Sequence, residues 1–362
     1  MTKRQHWVLL KLLPYVLISF LSAIVYWLLE IGLLGDNATY PYTNNIYNPG
    51  YSLIAVTSMA VLLGAVLGTI EETFFKAKFQ SRSFFLKITL KTLIYISLLI
   101  FLLFVQSLIL TAINMNKSVF DAMPVNTVLV FFTNLTFLGV VVYISSMVGL
   151  GLLTSEIIDF LGIDVVSSFF TGKYNKSVIE ERIFMFLDMK GSTTIAEQLG
   201  HEKHYEFINE YYGDMTNAII ETKGRIYQYV GDEIIISWNL EDGLKNANCI
   251  NCFFLIKKAL QIKKNTYEEK YGVSPAFKAA LHYGKVTRGQ VGLIKKELLF
   301  TGDVLNTTAR IQSLCKELNA DFLVSDTLRK LLPNSEFDFN NKGAFSLRGR
   351  KKEEILLEIL PK

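Results

Sequence analysis

Ile183-Phe184-Met185-Phe186-Leu187-Asp188-Met189-Lys190-Gly191-Ser192-Thr193 opens as an apolar strand, ends in a carboxylate and turns at a glycine. A strand that closes on an aspartate fixes an anion at the exit of the sheet, where solvent and ligands meet it. Gly191 permits a tight turn, and Ser192 or Thr193 is placed to cap a helix with Glu197 nearby. Backbone amides at such a helix start can receive a polyphosphate. A second carboxylate arrives in a similar way. Arg225-Ile226-Tyr227-Gln228-Tyr229-Val230 alternates as a strand, Ile234-Ile235-Ile236-Ser237-Trp238 follows, and Gly231-Asp232 between them reads as a hairpin tip. Magnesium takes oxygen ligands and is usually held by one or two carboxylates together with substrate phosphates, so Asp188 and Asp232 suffice for such a site. Each aspartate taken alone also reads as a turn residue that satisfies local backbone.

The chain ahead of this stretch has another character. Of 362 residues, 51% are hydrophobic, with apolar runs filling the first part and charges the second. Candidate spans run from Trp7 to Leu34, Tyr51 to Ile70, Phe85 to Ile113 and Thr127 to Leu153, each at or above the roughly 20 residues that cross a bilayer. Lys11 and Pro14 interrupt the first. Lys87 and Lys91 sit at the start of the third, where their long stems could snorkel to the headgroups, so that span could begin near Thr92. Lys3 and Arg4 precede the first span, and Lys76, Lys78, Arg82, Lys87 and Lys91 cluster between the second and third, which puts those sides in the cytoplasm. Four crossings return the chain to the same side. A cleaved signal peptide is the competing reading of the first segment, but the run is too long for an h-region and has no clear small-residue cleavage site.

The net charge of +4 belongs partly to this basic cluster, and the soluble part shows no obvious basic stripe, so nucleic acid is not an expected partner. Cys249, Cys252 and Cys315 fall in the cytoplasmic half, and Cys249-Ile250-Asn251-Cys252 has no second Cys or His pair to complete a zinc site. They are expected as buried helix residues. Residues 154–180 lose the apolar character and form either a coupling segment or a passive amphipathic spacer.

The soluble half alternates element types. A strand at 182–188, helices across 193–222, the hairpin 225–238, a helix near 243–269 and strands at 276–282 and 286–291 are expected. A short strand at Leu298-Leu299-Phe300, a helix over 304–318, and strands at 345–347 and 355–359 complete the pattern. A hairpin among helices points to a mixed α+β sheet. In Thr301-Gly302-Asp303-Val304-Leu305-Asn306-Thr307-Thr308-Ala309-Arg310, Asn306 and Arg310 lie one turn apart on a helix face. A guanidinium suits the charge of a phosphoryl-transfer transition state, and an amide can orient a sugar beside it. The same helix also reads as an ordinary one, capped by Asp303 and carrying a surface arginine.

Phe184 to Thr193, Tyr229-Val230-Gly231-Asp232-Glu233 and Gly302 to Arg310, in that order, resemble the class III nucleotidyl cyclase catalytic domain, membrane-anchored bacterial type, from about Glu181 to Ile359. The apolar runs make 1–153 a four-helix transmembrane domain and 154–180 a coupling segment, and the resemblance implies a ferredoxin-like α+β catalytic domain over 181–362. It implies two magnesium or manganese ions on Asp188 and Asp232, with the Met189 carbonyl as a further ligand. Lys190, Gly191, Ser192 and Thr193 would cradle phosphates, and Gly231 would lie against the nucleotide. Asn306 would orient the ribose, Arg310 would stabilise the α-phosphoryl transition state, and Arg348 stands where the family often has a phosphate-binding lysine. The family's site forms between two catalytic domains, so a head-to-tail homodimer with two equivalent sites is implied. A bacterial plasma membrane location follows, with the N-terminus and the catalytic domain in the cytoplasm and lipid around the helices.

The expected reaction is conversion of ATP to 3′,5′-cyclic AMP and pyrophosphate. Family members that prefer ATP often carry a lysine four residues before the second aspartate and an aspartate seven before the asparagine; here these are Gln228 and Leu299. Gln228 can still bond adenine, whereas Leu299 can only pack against it, so base selection by hydrogen bonding is weaker. GTP is the alternative substrate. A catalytically silent nucleotide-binding membrane protein is the alternative role, but all four of Asp188, Asp232, Asn306 and Arg310 are present. A diguanylate-type cyclase would need a double glycine that Tyr229 to Glu233 lacks.

Overall fold

The computed structural model describes residues 3–35, 37, 39–40, 46–75, 83–173, 176–333, 337–347 and 353–361. Contacts divide the chain into two compact units, Gln5–Val166 and Ser167–Lys362, the latter with Met1–Arg4. In the first unit α1 (Lys3–Leu34) continues through Pro14, and α2 (Pro49–Ile70) runs into a π-helical turn at Glu71–Phe75. α3 (Phe84–Asn114), α4 (Ala122–Phe132) and α5 (Leu135–Leu161) complete it. Four helices among the described residues, in α1, α2 with its π turn, α3 and α5, are long and apolar enough to cross a membrane.

Two expectations for these helices change. The fourth span is not Thr127 to Leu153. The chain leaves the helical conformation at Asn134 (φ −91°, ψ 153°), a residue type whose side chain competes with helical backbone bonds, and the long helix is Leu135–Leu161. Nor does Lys91 snorkel, and the third helix starts at Phe84 rather than near Thr92. The Lys91 ammonium is buried, paired with the Glu71 carboxylate and 3.1 Å from Glu156. A charge is held inside a bundle only by such partners, and the π-helical turn after α2 and helix α5 supply them. Lys11 is likewise paired, 2.8 Å from Asp159. Of the basic residues that set the expected orientation, Lys76, Lys78 and Arg82 lie outside the described residues.

In the second unit α6 (Ile163–Thr171) precedes β1 (Val178–Met189), and α7 (Ser192–Glu221) breaks at Gly200, whose φ of 72° is not helical. The hairpin β2 (Arg225–Val230) and β3 (Glu233–Asn239) leads to α8 (Leu240–Leu244), α9 (Asn248–Ile262) and α10 (Lys264–Tyr271). Then come β4 (Phe277–Val291), β5 (Glu297–Thr301), α11 (Asp303–Glu317), β6 (Phe322–Ser325), α12 (Asp326–Arg329), β7 (Phe337–Phe345) and β8 (Glu354–Pro361). The strands form one sheet in the order β2-β3-β1-β4-β6-β8-β7, with β5 paired to β4. The two strands expected at 276–282 and 286–291 are one continuous β4. The strand expected at 345–347 ends at Phe345, and β6 and β7 were not expected.

Strand alternation decides which side chains meet. Ile183, Met185, Leu187 and Met189 of β1 enter a core with Phe207, Tyr211 and Met215 of α7 and with Cys249, Cys252, Phe253 and Ile256 of α9. Phe184 and Phe186 face the other way, against Phe300 of β5 and Val304 of α11. Asp188 continues this second row and therefore emerges on the α11 side of the sheet. All three cysteines are buried and free, as expected of core helix residues.

Candidate active site

Antiparallel register assembles a row of charge around Asp188. β1 pairs it with Glu233 of β3 on one side and with Lys278 of β4 on the other. Paired residues share a face, so the Lys278 ammonium lies 3.3 Å from the Asp188 carboxylate. Asp232 occupies the turn one residue before Glu233, and the chain reverses there through Gly231, whose φ of 63° is the left-handed conformation that glycine adopts without strain. The Tyr212 hydroxyl faces the carbonyls of Gly231 (2.9 Å) and Glu233 (3.2 Å), which ties this turn to α7.

The electrostatics show three carboxylates sharing one nearby cation. Burial pushes the Asp188 carboxyl up, the Gln312 amide pulls it down, the charge of Asp232 raises it again and Lys278 opposes. Burial, then the charges of Asp188 and Asp232, push Glu233 up to about 7 against the pull of Lys278. A divalent cation is the natural complement of such a row. No group of three or more His, Cys, Asp or Glu side chains forms a metal cage among the described residues. An all-oxygen donor set built on two aspartates fits magnesium or manganese completed by substrate phosphates.

The raised Glu233 gives a pH test. A carboxyl whose folded pKa lies above its unfolded value keeps its proton longer when folded, so ionisation withdraws stability as pH rises from 4.5 to about 7. The urea midpoint of the metal-free catalytic unit should fall across that window, and Glu233→Gln should flatten the fall. An unchanged pH slope in Glu233→Gln would contradict this origin.

The phosphate loop differs from expectation in two respects. The helix start is capped by Gly191 in the left-handed conformation (φ 68°), with no side-chain cap from Ser192 or Thr193. The first helical bond runs from the Ile195 amide to the Gly191 carbonyl (3.0 Å), so the amides of Ser192 and Thr193 precede the helical ladder. That leaves them for an anion better than a capped helix would. Lys190 contributes otherwise: its amide donates to the Ala276 carbonyl (2.8 Å) and its ammonium pairs with Asp321, which also takes Lys257 at 3.1 Å. Only its side chain could reach a phosphate, by leaving a half-exposed pair of the kind that is worth little.

On α11, Gly302 rather than Asp303 is the cap, and Asp303 is the first helical residue. Val304, Thr307, Thr308, Ile311, Gln312 and Cys315 face inward, while Asn306 is exposed and Arg310 half-buried. Neither Asn306 nor Arg310 bonds Asp188 or Asp232, and Arg310 pairs with no carboxylate among the described residues. Gln228 is exposed on β2, and Leu299 is half-buried on β5. A bulge between Ile226 and Gln228 frees Tyr227, whose hydroxyl accepts the Phe300 amide at 3.2 Å, so the neighbours Gln228 and Leu299 come to one region. Arg348 lies outside the described residues. Lys278, Gln312, Glu233 and Tyr212 are site residues that the linear sequence did not single out. His282 is structural, its Nδ1 lying 2.7 Å from the Ser325 hydroxyl in the buried sheet.

Comparison with known proteins agrees with this geometry. A family model described as the adenylate and guanylate cyclase catalytic domain matches residues 175–358. "Adenylate cyclase 2" of Rhizobium meliloti (strain 1021) is 34% identical over 223 residues, 61% of this chain and 61% of that protein. "Adenylate cyclase" of Anabaena cylindrica is 28% identical over 170 residues, 45% of this chain and 32% of that protein. The chain thus spans less than two thirds of the length of these relatives. A solved structure of a bacterial light-regulated adenylyl cyclase shares the fold, with a TM-score of 0.52 and 19% identity over 63% of this chain and 66% of that one. With the motifs in order and the matched domain covering half of its length, the chain belongs to the adenylate and guanylate cyclase family, the class III nucleotidyl cyclases.

Proposed function

We propose that the protein is a membrane-bound adenylate cyclase that converts ATP to 3′,5′-cyclic AMP and pyrophosphate at a homodimer interface. The observation that carries the reading is the row formed by Asp188, Asp232 and Glu233, set beside the helix start at Ser192, which no side chain caps. Asp188 and Asp232, with the Met189 carbonyl, would hold two magnesium or manganese ions; when bound, these ease loss of the ribose 3′-proton and offset the triphosphate charge. The Ser192 and Thr193 amides receive phosphate oxygens. The 3′-oxygen forms its bond to the α-phosphorus as the bond to the β-phosphate oxygen breaks.

Asn306 and Arg310 would act on the site of a second copy. Within one chain they make no bond to the aspartates, and Arg310 carries a guanidinium with no carboxylate partner among the described residues. Each copy would give its carboxylates to one site and its α11 face to the other, so two equivalent sites form. The first unit would sit in a bacterial plasma membrane, with the N-terminus and the catalytic domain in the cytoplasm and residues 154–180 coupling the halves.

ATP as the substrate is supported by the names of the relatives and by an exposed Gln228 that can bond adenine. Leu299 offers no such bond. The double variant Gln228→Lys/Leu299→Asp should therefore raise the ATP over GTP ratio of kcat/KM by about tenfold or more, since buried polar pairing is the strong discriminator. An unchanged ratio would show that this pair does not read the base. Greater turnover of GTP than of ATP by the natural chain would replace the adenylate reading by the guanylate one.

A further inference from the structure

Where α1 gives way to α2, a buried carboxylate pairs with no cation among the described residues. Glu30 lies one turn before the end of α1 and is 8% exposed. It accepts a hydrogen bond from the Tyr40 hydroxyl at 3.0 Å and another from the Ser52 hydroxyl. Residues 35–50 contain no Lys, Arg or His, and Lys117, the one basic residue in 114–126, contacts Met123 Sδ at 2.6 Å instead. Elsewhere in the same unit Glu71 and Asp159 each meet a lysine. The start of α2 adds roughly half a positive charge near Ser52, less than the full charge of a carboxylate. A buried charge without a partner is costly, and among membrane helices such residues mark ion and ligand sites.

The surroundings are aromatic. Tyr26 precedes Glu30 by one turn and shares its helix face. An antiparallel bridge between Thr39 and Ile46 folds the connecting loop back, and the Tyr40 and Tyr47 rings meet edge-on with centroids 5.2 Å apart. The Trp27 indole fixes the end of the loop by donating to the Pro49 carbonyl at 2.9 Å. Tyr47 is 7% exposed, yet its hydroxyl has no hydrogen-bond partner among the described residues. Burial, and then the charge of Glu30, push that hydroxyl's pKa up, so it stands within the field of the carboxylate without bonding it. An unpaired buried hydroxyl beside an unpaired buried carboxylate calls for a group that is both cationic and a hydrogen-bond donor.

We propose that Glu30 and the Tyr26, Tyr40 and Tyr47 rings form a binding site for a small primary ammonium ion. Tyr40 and Ser52 take two of the roughly four lone-pair positions of the carboxylate, and the others are open to ammonium N–H groups. A further N–H meets the Tyr47 oxygen, while the rings attract the charge. A quaternary ammonium satisfies the rings alone, because it has no N–H to give. Glu30 of α1 is bonded to Ser52 of α2, so an occupant acts on the joint between two helices of the first unit.

The test is saturation-transfer NMR of methylammonium chloride titrated at pH 7 into the full-length protein in phosphatidylcholine nanodiscs, with empty nanodiscs subtracted. Transfer to the methyl protons should saturate. Glu30→Gln keeps an acceptor for Tyr40 and Ser52 but removes the charge, and should weaken apparent affinity about tenfold or more. Tyr47→Phe keeps the ring and should cost about three- to tenfold. Asp121→Asn, at an exposed carboxylate in another loop, should leave binding unchanged. Tetramethylammonium should bind more weakly than methylammonium. The thermal midpoint checks that each variant is folded, and methylammonium should raise it in the natural chain but not in Glu30→Gln. Absence of a saturable signal from the folded natural protein would overturn the proposal. So would equal binding by Glu30→Gln, tighter binding of tetramethylammonium, or displacement of methylammonium by equimolar sodium chloride, which would assign the site to an alkali ion. None of these readouts depends on which nucleotide the catalytic unit uses.

Discussion

Asp188→Ala and Arg310→Ala are each expected to be inactive alone and to recover activity when combined. Arg310→Ala should lower kcat by about 10³-fold or more, the scale on which an arginine at a phosphoryl-transfer transition state acts. Asp188→Ala removes the carboxylate around which the register of β1, β3 and β4 builds the charged row, and turnover should fall below detection. If the site is shared between two copies, random pairing makes half of the dimers mixed, and each mixed dimer keeps one intact site of two. Co-expressed variants should then give about one quarter of the natural activity per chain. Absence of recovery in purified mixed dimers would contradict the division of the site between copies.

The second large effect belongs to the membrane half. Lys91→Met leaves Glu71 buried without its cation, and breaking a buried pair on one side costs about 3–5 kcal/mol. The thermal unfolding midpoint in detergent should drop accordingly. Adding Glu71→Gln removes the stranded charge and should restore much of the loss, because a neutral amide can still accept from the Tyr95 hydroxyl. A drop of under about 1 kcal/mol for Lys91→Met would place this pair with exposed ones, contrary to its burial.

Much of the catalytic unit is legible in the linear sequence because the signals are local. β1 carries a continuous apolar run up to Asp188, the hairpin turns at Gly231 with its positive φ, and α11 follows an obvious glycine. β6 was missed for a physical reason. Phe322-Leu323-Val324-Ser325 is only four residues long, lies between Asp321 and Asp326, and owes its strand form to pairing with β4 and β8. β7 is interrupted by Asp338 and by Asn340-Asn341-Lys342-Gly343, and it is paired with β8 alone.

The site residues divide in the same way. Asp188 and Asp232 announce themselves by position after or between strands. Lys278 does not, because it reaches Asp188 only through the β1–β4 register, set by residues far along the chain. Lys91 shows the opposite error. Hydropathy alone treats a lysine near a span's end as a marker of the headgroup region, but the two carboxylates that bury it sit on other helices.

The central claim is tested most directly by incubating the purified full-length protein with ATP or GTP and magnesium or manganese, and measuring cyclic nucleotide and pyrophosphate together. The account predicts equimolar 3′,5′-cyclic AMP and pyrophosphate from ATP, dependent on the divalent ion and lost in Asp188→Ala. No cyclic product from either nucleotide at high concentrations of folded, dimeric protein would contradict it.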